Sequence, residues 1–454
     1  MVNTVAKYQK YTEYKESGVE WLGEIPRHWD SKPLKYLCTY NDEVLPETTA
    51  KDAEIQYIDI GSVSAVDGIS KIETMIFKDA PSRARRIVRD GDVIVSTVRT
   101  YLEAIAPINN PPENLIVSTG FAVIRPNQYL YKSFASYCLR AKGFIKEVVA
   151  RSVGVSYPAI NSSDLVNITI PSIEYVEQVK IANFLDHETA QIDSLIAKQE
   201  KLIELLKEKR QAVISHAVTK GLNPDAAMKD SGVEWIGEVP KHWKVSKLKY
   251  ESEVVDCRNK TPEYFDDGEY FVVRTTNVKN QELNFNGALY TDKKNFDIWT
   301  QRGVPPVGSI LFTREAPTGQ VCLVPDNLKF CMGQRMMNFI SYDSHYGDYL
   351  FDYLISDCLD RYINSVSHGS TVTHLRVEQV ENIPVLVPGK EEIKEIHLHI
   401  LKIKQQFNAL EQKALETIRL MQERRTALIS SAVTGKIDVR NWQDPNEAKT
   451  ELSA

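Results

Sequence analysis

Arginine, glutamine, asparagine, serine and threonine recur at a few corresponding places in this 454-residue chain. These are the side chains that read base edges in a DNA major groove, with arginine suited to guanine and glutamine or asparagine to adenine. In the first half, Ser96, Thr97, Arg99 and Tyr101 follow one Val/Ile run, and Ser118 and Thr119 interrupt the next. In the second half, Thr313 with Arg314 and Gln334 with Arg335 stand at matching points, while Arg274, Thr275 and Asn277 end an earlier run. Two Gly/Ser/Thr-rich loops also correspond. One contains Ser152, Ser156 and Tyr157, the other His368, Ser370, Thr371 and His374; such loops bring backbone N–H and hydroxyl groups close to phosphate. A basic cluster, Arg83, Arg85, Arg86 and Arg89, belongs to the first half alone. Taken singly, each group is most simply a solvated polar face. Recurrence at equivalent places is the evidence for binding.

Catalytic patterns are missing by comparison. Asn110–Pro111–Pro112–Glu113 approaches the Asn-Pro-Pro-aromatic motif of amino-methyltransferases, but a glutamate cannot stack on a flipped base. No Gly-rich strand-to-helix loop for a nucleotide cofactor accompanies it, and no Walker A sequence occurs. Pro325–Lys329 lacks the second acidic residue that metal-dependent hydrolysis would use. His397 and His399, two apart on a helix, point to different faces and make a poor metal pair. The sequence therefore predicts neither a catalytic residue nor a metal site.

The elements that must position these groups are strands and helices in a repeated order. Residues 55–63, 90–99, 115–126 and 166–171 read as strands, with a helix over 131–152. Residues 270–278, 308–314, 336–341 and 381–388, with a helix over 347–365, line up with them. Each set is a mixed α/β globule. The skeleton repeats while the side chains differ, as expected of one scaffold reading two different things.

Around these globules the sequence repeats outright. SGVEWLGEIPRHW at Ser17–Trp29 returns as SGVEWIGEVPKHW at Ser231–Trp243. Ser17 with Glu20 could form a capping box, and the tryptophans read as structural anchors. Two long amphipathic runs, Gln178–Val218 and Ile393–Val433, are related by the same offset of about 215 residues. Their apolar residues recur at a period of 3.5, the a/d pattern of a helix–helix seam. The expected seam comprises Ile181, Leu185, Ile192, Leu195, Leu202 and Leu206 on the first helix. Its partner row is Ile396, Ile400, Ile403, Phe407, Leu410, Met421 and Leu428 on the second. A pseudo-twofold repeat makes these helices antiparallel, as a coiled coil. It also brings the end of the second helix to Ser17–Trp29. The chain then divides into an extension with the first anchor (1–30), a variable domain (31–173), a long helix (174–222) and a linker with the second anchor (223–244). A second variable domain (245–388), a second helix (389–437) and a tail (438–454) follow.

Composition sets limits. Hydrophobic content of 43% and charged content of 26% describe an ordinary soluble protein, and no apolar run approaches the roughly 20 residues of a membrane span. The polar N-terminus lacks a signal-peptide core. Six scattered cysteines without a CxxC pair suggest packed, reduced thiols and a cytoplasmic setting. A net charge of −6 counts against a wholly electrostatic DNA binder.

With both anchor motifs, both helix runs and the loop SYPAINSSDL in view, the chain resembles the specificity subunit of type I restriction-modification systems over essentially its whole length. That resemblance implies two target-recognition domains, each reading one half of a split, asymmetric site in double-stranded DNA. It implies helices that separate the domains and dock two modification (methyltransferase) subunits, with ATP-dependent restriction subunits completing the complex. S-adenosylmethionine, ATP and Mg would then belong to partner subunits, with no cofactor in this chain. HGSTVTHLRV in place of SYPAIN is a departure in the second copy. A structural coiled-coil adaptor with no DNA role is the competing reading, and a self-sufficient methyltransferase is disfavoured by the missing cofactor loop.

Overall fold

A computed structural model describes residues 8–66, 68–258, 260–366 and 374–445. The chain forms two compact units, Met1–Glu200 with Leu415–Ala454, and Lys201–Ala414. Both long helices, Tyr175–Lys220 and Lys390–Val433, contribute a segment to each unit. Compactness therefore divides the helices crosswise rather than leaving them as separate domains.

In unit 1 a four-stranded sheet runs in the order Ile105–Pro107, Val93–Ser96, Phe121–Pro126, Cys38–Tyr40. A second sheet runs Glu73–Ile76, Glu54–Ile58, Leu115–Ser118, Ala84–Ile87, with a parallel pairing between Glu54–Ile58 and Leu115–Ser118. The expected strand over 115–126 is thus two strands in two sheets, hinged at Thr119–Gly120. Gly120 permits the hinge, because a Cβ there would lie 2.5 Å from Ile60 Cδ1.

Unit 2 repeats this plan. Its four-stranded sheet is Val321–Leu323, Ile310–Thr313, Met336–Ser341, Ser252–Asp256, and its second sheet has three strands, Tyr290–Thr291, Tyr270–Val273, Phe330–Met332. Beside Phe330–Met332 the helix Lys293–Trp299 packs where unit 1 has Ala84–Ile87. The repeat of element order foreseen from the sequence holds, and this edge is where the copies diverge.

Two predicted helices are each broken into a pair, Lys132–Arg140 with Lys142–Ala150 and Ser344–Leu354 with Asp357–Val366. The break at Ala141 is an extended residue followed by Gly143, on which the Trp21 ring sits. In unit 2 the break is clasped by the first long helix. Gln211 Nε2 donates to the Ile355 carbonyl at 2.9 Å, and the Ser215 hydroxyl accepts from Asp357 N–H at 3.1 Å. Neither break carries proline, so periodicity alone does not reveal it.

The anchor motifs are hairpins. Tyr14–Glu16 pairs with Glu24–Pro26, and Met228–Asp230 with Glu238–Pro240. Ser17 accepts from Val19 N–H inside the hairpin loop, so the expected helical capping box is not formed. Trp29 and Trp243 are fully buried. Their indole N–H groups donate to Glu177 (3.1 Å) and Glu392 (2.8 Å), and His28 and His242 reach the same carboxylates. Tyr11 adds a third donor to Glu177 at 2.6 Å. Trp21 Nε1 donates to the Thr169 carbonyl. The tryptophans are structural.

Within unit 2 the helices are antiparallel: Lys207 pairs with Glu411 at 3.3 Å, and Arg210, three residues on, bonds Asn408, three residues back. In unit 1 Asp193 pairs with Arg425. Ile181, Leu185, Ile192, Ile396, Ile400 and Leu428 are buried, and Leu206, Ile403, Phe407 and Met421 half-buried. Leu195, Leu202 and Leu410, in contrast, are 45%, 42% and 47% exposed. Along the middle of both helices the second row is displaced by one residue, to Ile196, Ile203 and Arg210, and to Lys404, Glu411 and Arg425. A spacing of four then three satisfies the same 3.5 period as three then four, so alternating apolar neighbours made the register ambiguous.

All six cysteines are buried and free; burial pushes the Cys38 thiol up to about 12 and Cys358 to about 11, away from thiolate reactivity. Among the described residues no helix is long and apolar enough to cross a membrane.

Candidate nucleic-acid interface

In unit 1 the polar groups converge where three strands end. Thr97 N–H donates to the Gly120 carbonyl at 2.8 Å, and the Thr97 carbonyl accepts from Ile160 N–H at 2.9 Å. Thr119 N–H donates to the Arg83 carbonyl. Gly120 is the join: through it the strand ends at Ser96 and Ser118, the loop after Ala150 and the start of Ala84–Ile87 come side by side. Thr97, Arg99, Ser118, Thr119, Arg83 and Tyr157 therefore share one edge of the unit.

Their side chains are not equally available. Thr97 is buried and donates to the Gly120 carbonyl, and Ser118 is fully buried. The Ser152 hydroxyl is held by Val148 and Thr100. These three build the edge rather than face a ligand. Arg99, Tyr101, Thr119, Ser156 and Tyr157 are exposed or half-exposed. Arg99 sits over the Tyr157 ring, 5.1 Å from its centroid. Arg83 is exposed beside Asp59, 3.3 Å away.

The basic cluster does not hold together. Strand alternation sends Arg85 onto the Phe77 ring and turns half-buried Arg86 the other way. Arg89 pairs with Glu43, which also binds Arg125. Only Arg83 of the four reaches the shared edge.

Unit 2 reproduces the construction with different groups. Arg314 N–H donates to the Arg335 carbonyl at 2.9 Å, and the Arg314 carbonyl accepts from Leu375 N–H at 3.2 Å. Arg335 and Gln334 thus occupy the places of Gly120 and Thr119. Arg335, at φ +67°, projects into solvent while its Nε pairs with Glu315 at 3.0 Å. His374 Nδ1 meets the same carboxylate at 3.1 Å. Glu315 was not singled out in the sequence; its position directly after Thr313–Arg314 was the available signal.

Several second-unit candidates are structural instead. Thr313 is buried, donates to the Pro317 carbonyl and accepts from Gln320 N–H. Asn277 is fully buried, bridging Arg274 N–H and the Asn284 carbonyl. Thr275 donates to the Ala316 carbonyl, Arg274 to that of Gly287, and buried Arg314 lies 3.4 Å from Asp256. Short polar side chains at strand ends serve backbone turns as readily as ligands. His368, Ser370 and Thr371 lie outside the described residues. Among the described residues no group of three or more His, Cys, Asp or Glu side chains could hold a metal ion. His397 instead binds buried Asp352 at 2.7 Å.

Two copies of one scaffold, each ending in a differently furnished edge, define a protein built for paired recognition. The type I restriction modification DNA specificity domain matches residues 26–205 and again 240–420, and the chain belongs to that family. A putative type I restriction enzyme specificity subunit, MjaX of Methanocaldococcus jannaschii, is 26% identical over 433 residues, covering 92% of this chain and 96% of its own. The MjaIX specificity subunit of the same organism is 23% identical over 461 residues, covering 96% and 99%. A solved structure described under complex assembly and conformational transition of the type I R-M system shares the fold, with a TM-score of 0.64 at 21% identity over 91% of this chain and 99% of that one. The resemblance drawn from the anchors, helices and loop is confirmed.

Proposed function

We propose that this chain is the DNA-specificity subunit of a type I restriction-modification complex and performs no catalysis itself. Unit 1 reads one half of a bipartite, asymmetric site in double-stranded DNA, and unit 2 reads the other. The long helices set the unread spacer and dock two modification subunits, with restriction subunits completing the assembly. S-adenosylmethionine, ATP and Mg act on those partners.

The observation that carries this reading is the duplicated edge. Identical backbone bonds hold Thr97, Gly120 and Ile160 in one unit and Arg314, Arg335 and Leu375 in the other, while the exposed side chains differ. A scaffold conserved in bonding and divergent in what it presents suits two unlike half-sites. Single-molecule sequencing of methylated adenines, with and without this gene, tests it. A bipartite methylated motif that disappears with the gene is expected; an unchanged methylome rejects the proposal.

A further inference from the structure

The loop between Ala150 and Ile160 runs against the ordinary partition of side chains. Val155 is 100% exposed, Val153 81% and Tyr157 67%. Tyr101 and Leu102, beside Arg99 at the end of the adjoining strand, are exposed too. Single exposed apolar residues need no explanation, but a contiguous group of them marks an interaction surface.

This group is also built to hold its shape. Val153 and Ala159 exchange both backbone bonds, at 2.8 and 3.0 Å, closing the loop at its neck. Ala159 also bridges Val98, and Thr100 N–H reaches the Pro158 carbonyl. Gly154, at φ +118°, permits the tight turn, since a Cβ there would lie 3.1 Å from the Tyr157 carbonyl oxygen. Arg99, itself left-handed at φ +51°, covers the Tyr157 ring. The loop residues 152–161 include no acidic side chain. An apolar tip ordered in advance and flanked by a guanidinium loses little entropy on binding.

Hydroxyl and N–H contacts to phosphate were the role expected of this loop. The Ser152 hydroxyl and the neck N–H groups are already satisfied internally, which leaves Ser156 and the tip N–H groups for that role. Around the exposed Ser156 hydroxyl, what the tip presents is mostly hydrocarbon, with Val155 fully exposed. In a B-DNA major groove the apolar feature that carries sequence information is the C5-methyl group of thymine.

We propose that the Val153–Tyr157 tip reads a thymine C5-methyl in the half-site of unit 1, with Val155 making the contact. Arg99, steadied on Tyr157, is the positioning cation beside it. This inference rests on the DNA-specificity reading above and deepens it.

Deoxyuridine differs from thymidine by that methyl alone. The full chain, assembled with its modification subunits, is titrated against duplexes carrying one thymine-to-uracil replacement at each thymine of either half-site. One position is expected to cost about 4-fold in affinity, the worth of one buried methyl. In Val155→Ala that position becomes insensitive to the replacement, while Val155→Ile retains the penalty. Selective binding with no methyl-sensitive position, with no thymine in the site, or with a penalty unchanged in Val155→Ala overturns the proposal. Failure of the wild-type complex to bind selectively at all would remove the specificity reading as well.

Discussion

Gly435, just past the end of the second long helix, packs against Pro26 from the opposite end of the chain. At φ +72° it leaves no room for a Cβ, which would overlap Pro26 and approach Trp29 to 3.0 Å. Tyr14 donates to the Gly435 carbonyl, and Lys436 to that of Glu24. Gly221, at φ +75°, holds the corresponding place beside Trp243 and Pro240 in unit 2, where a Cβ would lie 3.3 and 3.9 Å from them and 2.9 Å from Glu392 Oε1. Lys220 there donates to the Glu238 carbonyl. The meeting of helix end and first anchor expected from the repeat is therefore present. Gly435→Ala is expected to destabilise unit 1 by at least 1 kcal/mol, from φ strain and overlap together. Thermal unfolding measures it. A fragment ending near Leu222 carries the first anchor together with its own Gly221, so two copies can satisfy each other. Size exclusion should show a dimer; a stable monomer would count against closure.

The carboxylate of Glu177 gathers three donors, Tyr11, Trp29 and His28. Glu177→Ala strands the buried indole N–H and the Tyr11 hydroxyl, each at about 1–3 kcal/mol. Glu392→Ala should cost less, since the Glu392 side chain is 24% exposed against 9% for Glu177, and among the described residues no tyrosine hydroxyl donates to it. Chemical denaturation of the two variants compares them directly.

Much of this plan was legible in residues, and the failures have physical causes. The anchors, the long helices and the repeat of strands and helices follow from strict periodicity and outright sequence identity. Leu195 and Leu202 were misplaced because Ile196 and Ile203 stand beside them, and either row fits the period. Thr313 and Asn277 were taken for readers because a turn-capping threonine and a base-reading one look identical before their partners are known. Val155 was passed over because apolar residues are assigned inward by default. Burial is a property of the fold, and neighbours distant in sequence decide it.

Asp352, buried in unit 2, faces His397 at 2.7 Å and Lys404 at 4.0 Å, with Asp348 and Arg210 adding charge nearby. The hydrogen bond to Asp352 raises the imidazole above its usual value, burial raises the Asp352 carboxyl, and burial lowers the Lys404 ammonium. A raised histidine stabilises the fold fully below its unfolded value of about 6.5. That contribution is lost as pH rises through the folded value. Comparison with His397→Gln isolates the imidazole's share from that of the raised Asp352 carboxyl and the lowered Lys404 ammonium. Wild-type protein should exceed His397→Gln in stability by about 1–3 kcal/mol near pH 6, and the difference should shrink by pH 9. Urea denaturation across that range provides the test; a gap independent of pH would exclude a charged pair.

Arg335 and Asn277 separate reading from building. Arg335 is exposed at an edge and, among the described residues, pairs through its Nε with Glu315, whereas Asn277 is buried and bonded at both ends of its amide. Arg335→Ala is expected to relax base preference at one position of the second half-site by about 1–3 kcal/mol, with little change in unfolding. Asn277→Ala should do the reverse. Competition binding against single-base variants, beside thermal unfolding of both proteins, distinguishes them.

The spacer offers the last test, through the long helices. Seven residues inserted into one helix alone would slide Lys207 and Arg210 away from Glu411 and Asn408. The same insertion into both, at corresponding points, preserves the 3.5-residue register and the antiparallel pairing. It lengthens each helix by about 10 Å at ~1.5 Å per residue. DNA rises about 3.4 Å per base pair, so the preferred spacer should grow by roughly three base pairs. Three base pairs also turn the duplex by close to a third of a revolution, while a heptad turns an α-helix almost back to its starting angle. The lengthened protein therefore has to accommodate a rotated half-site, and weaker binding is expected along with the longer spacer. Methylome sequencing of the double-insertion variant reads both effects, and an unchanged spacer would show that the helices do not set it.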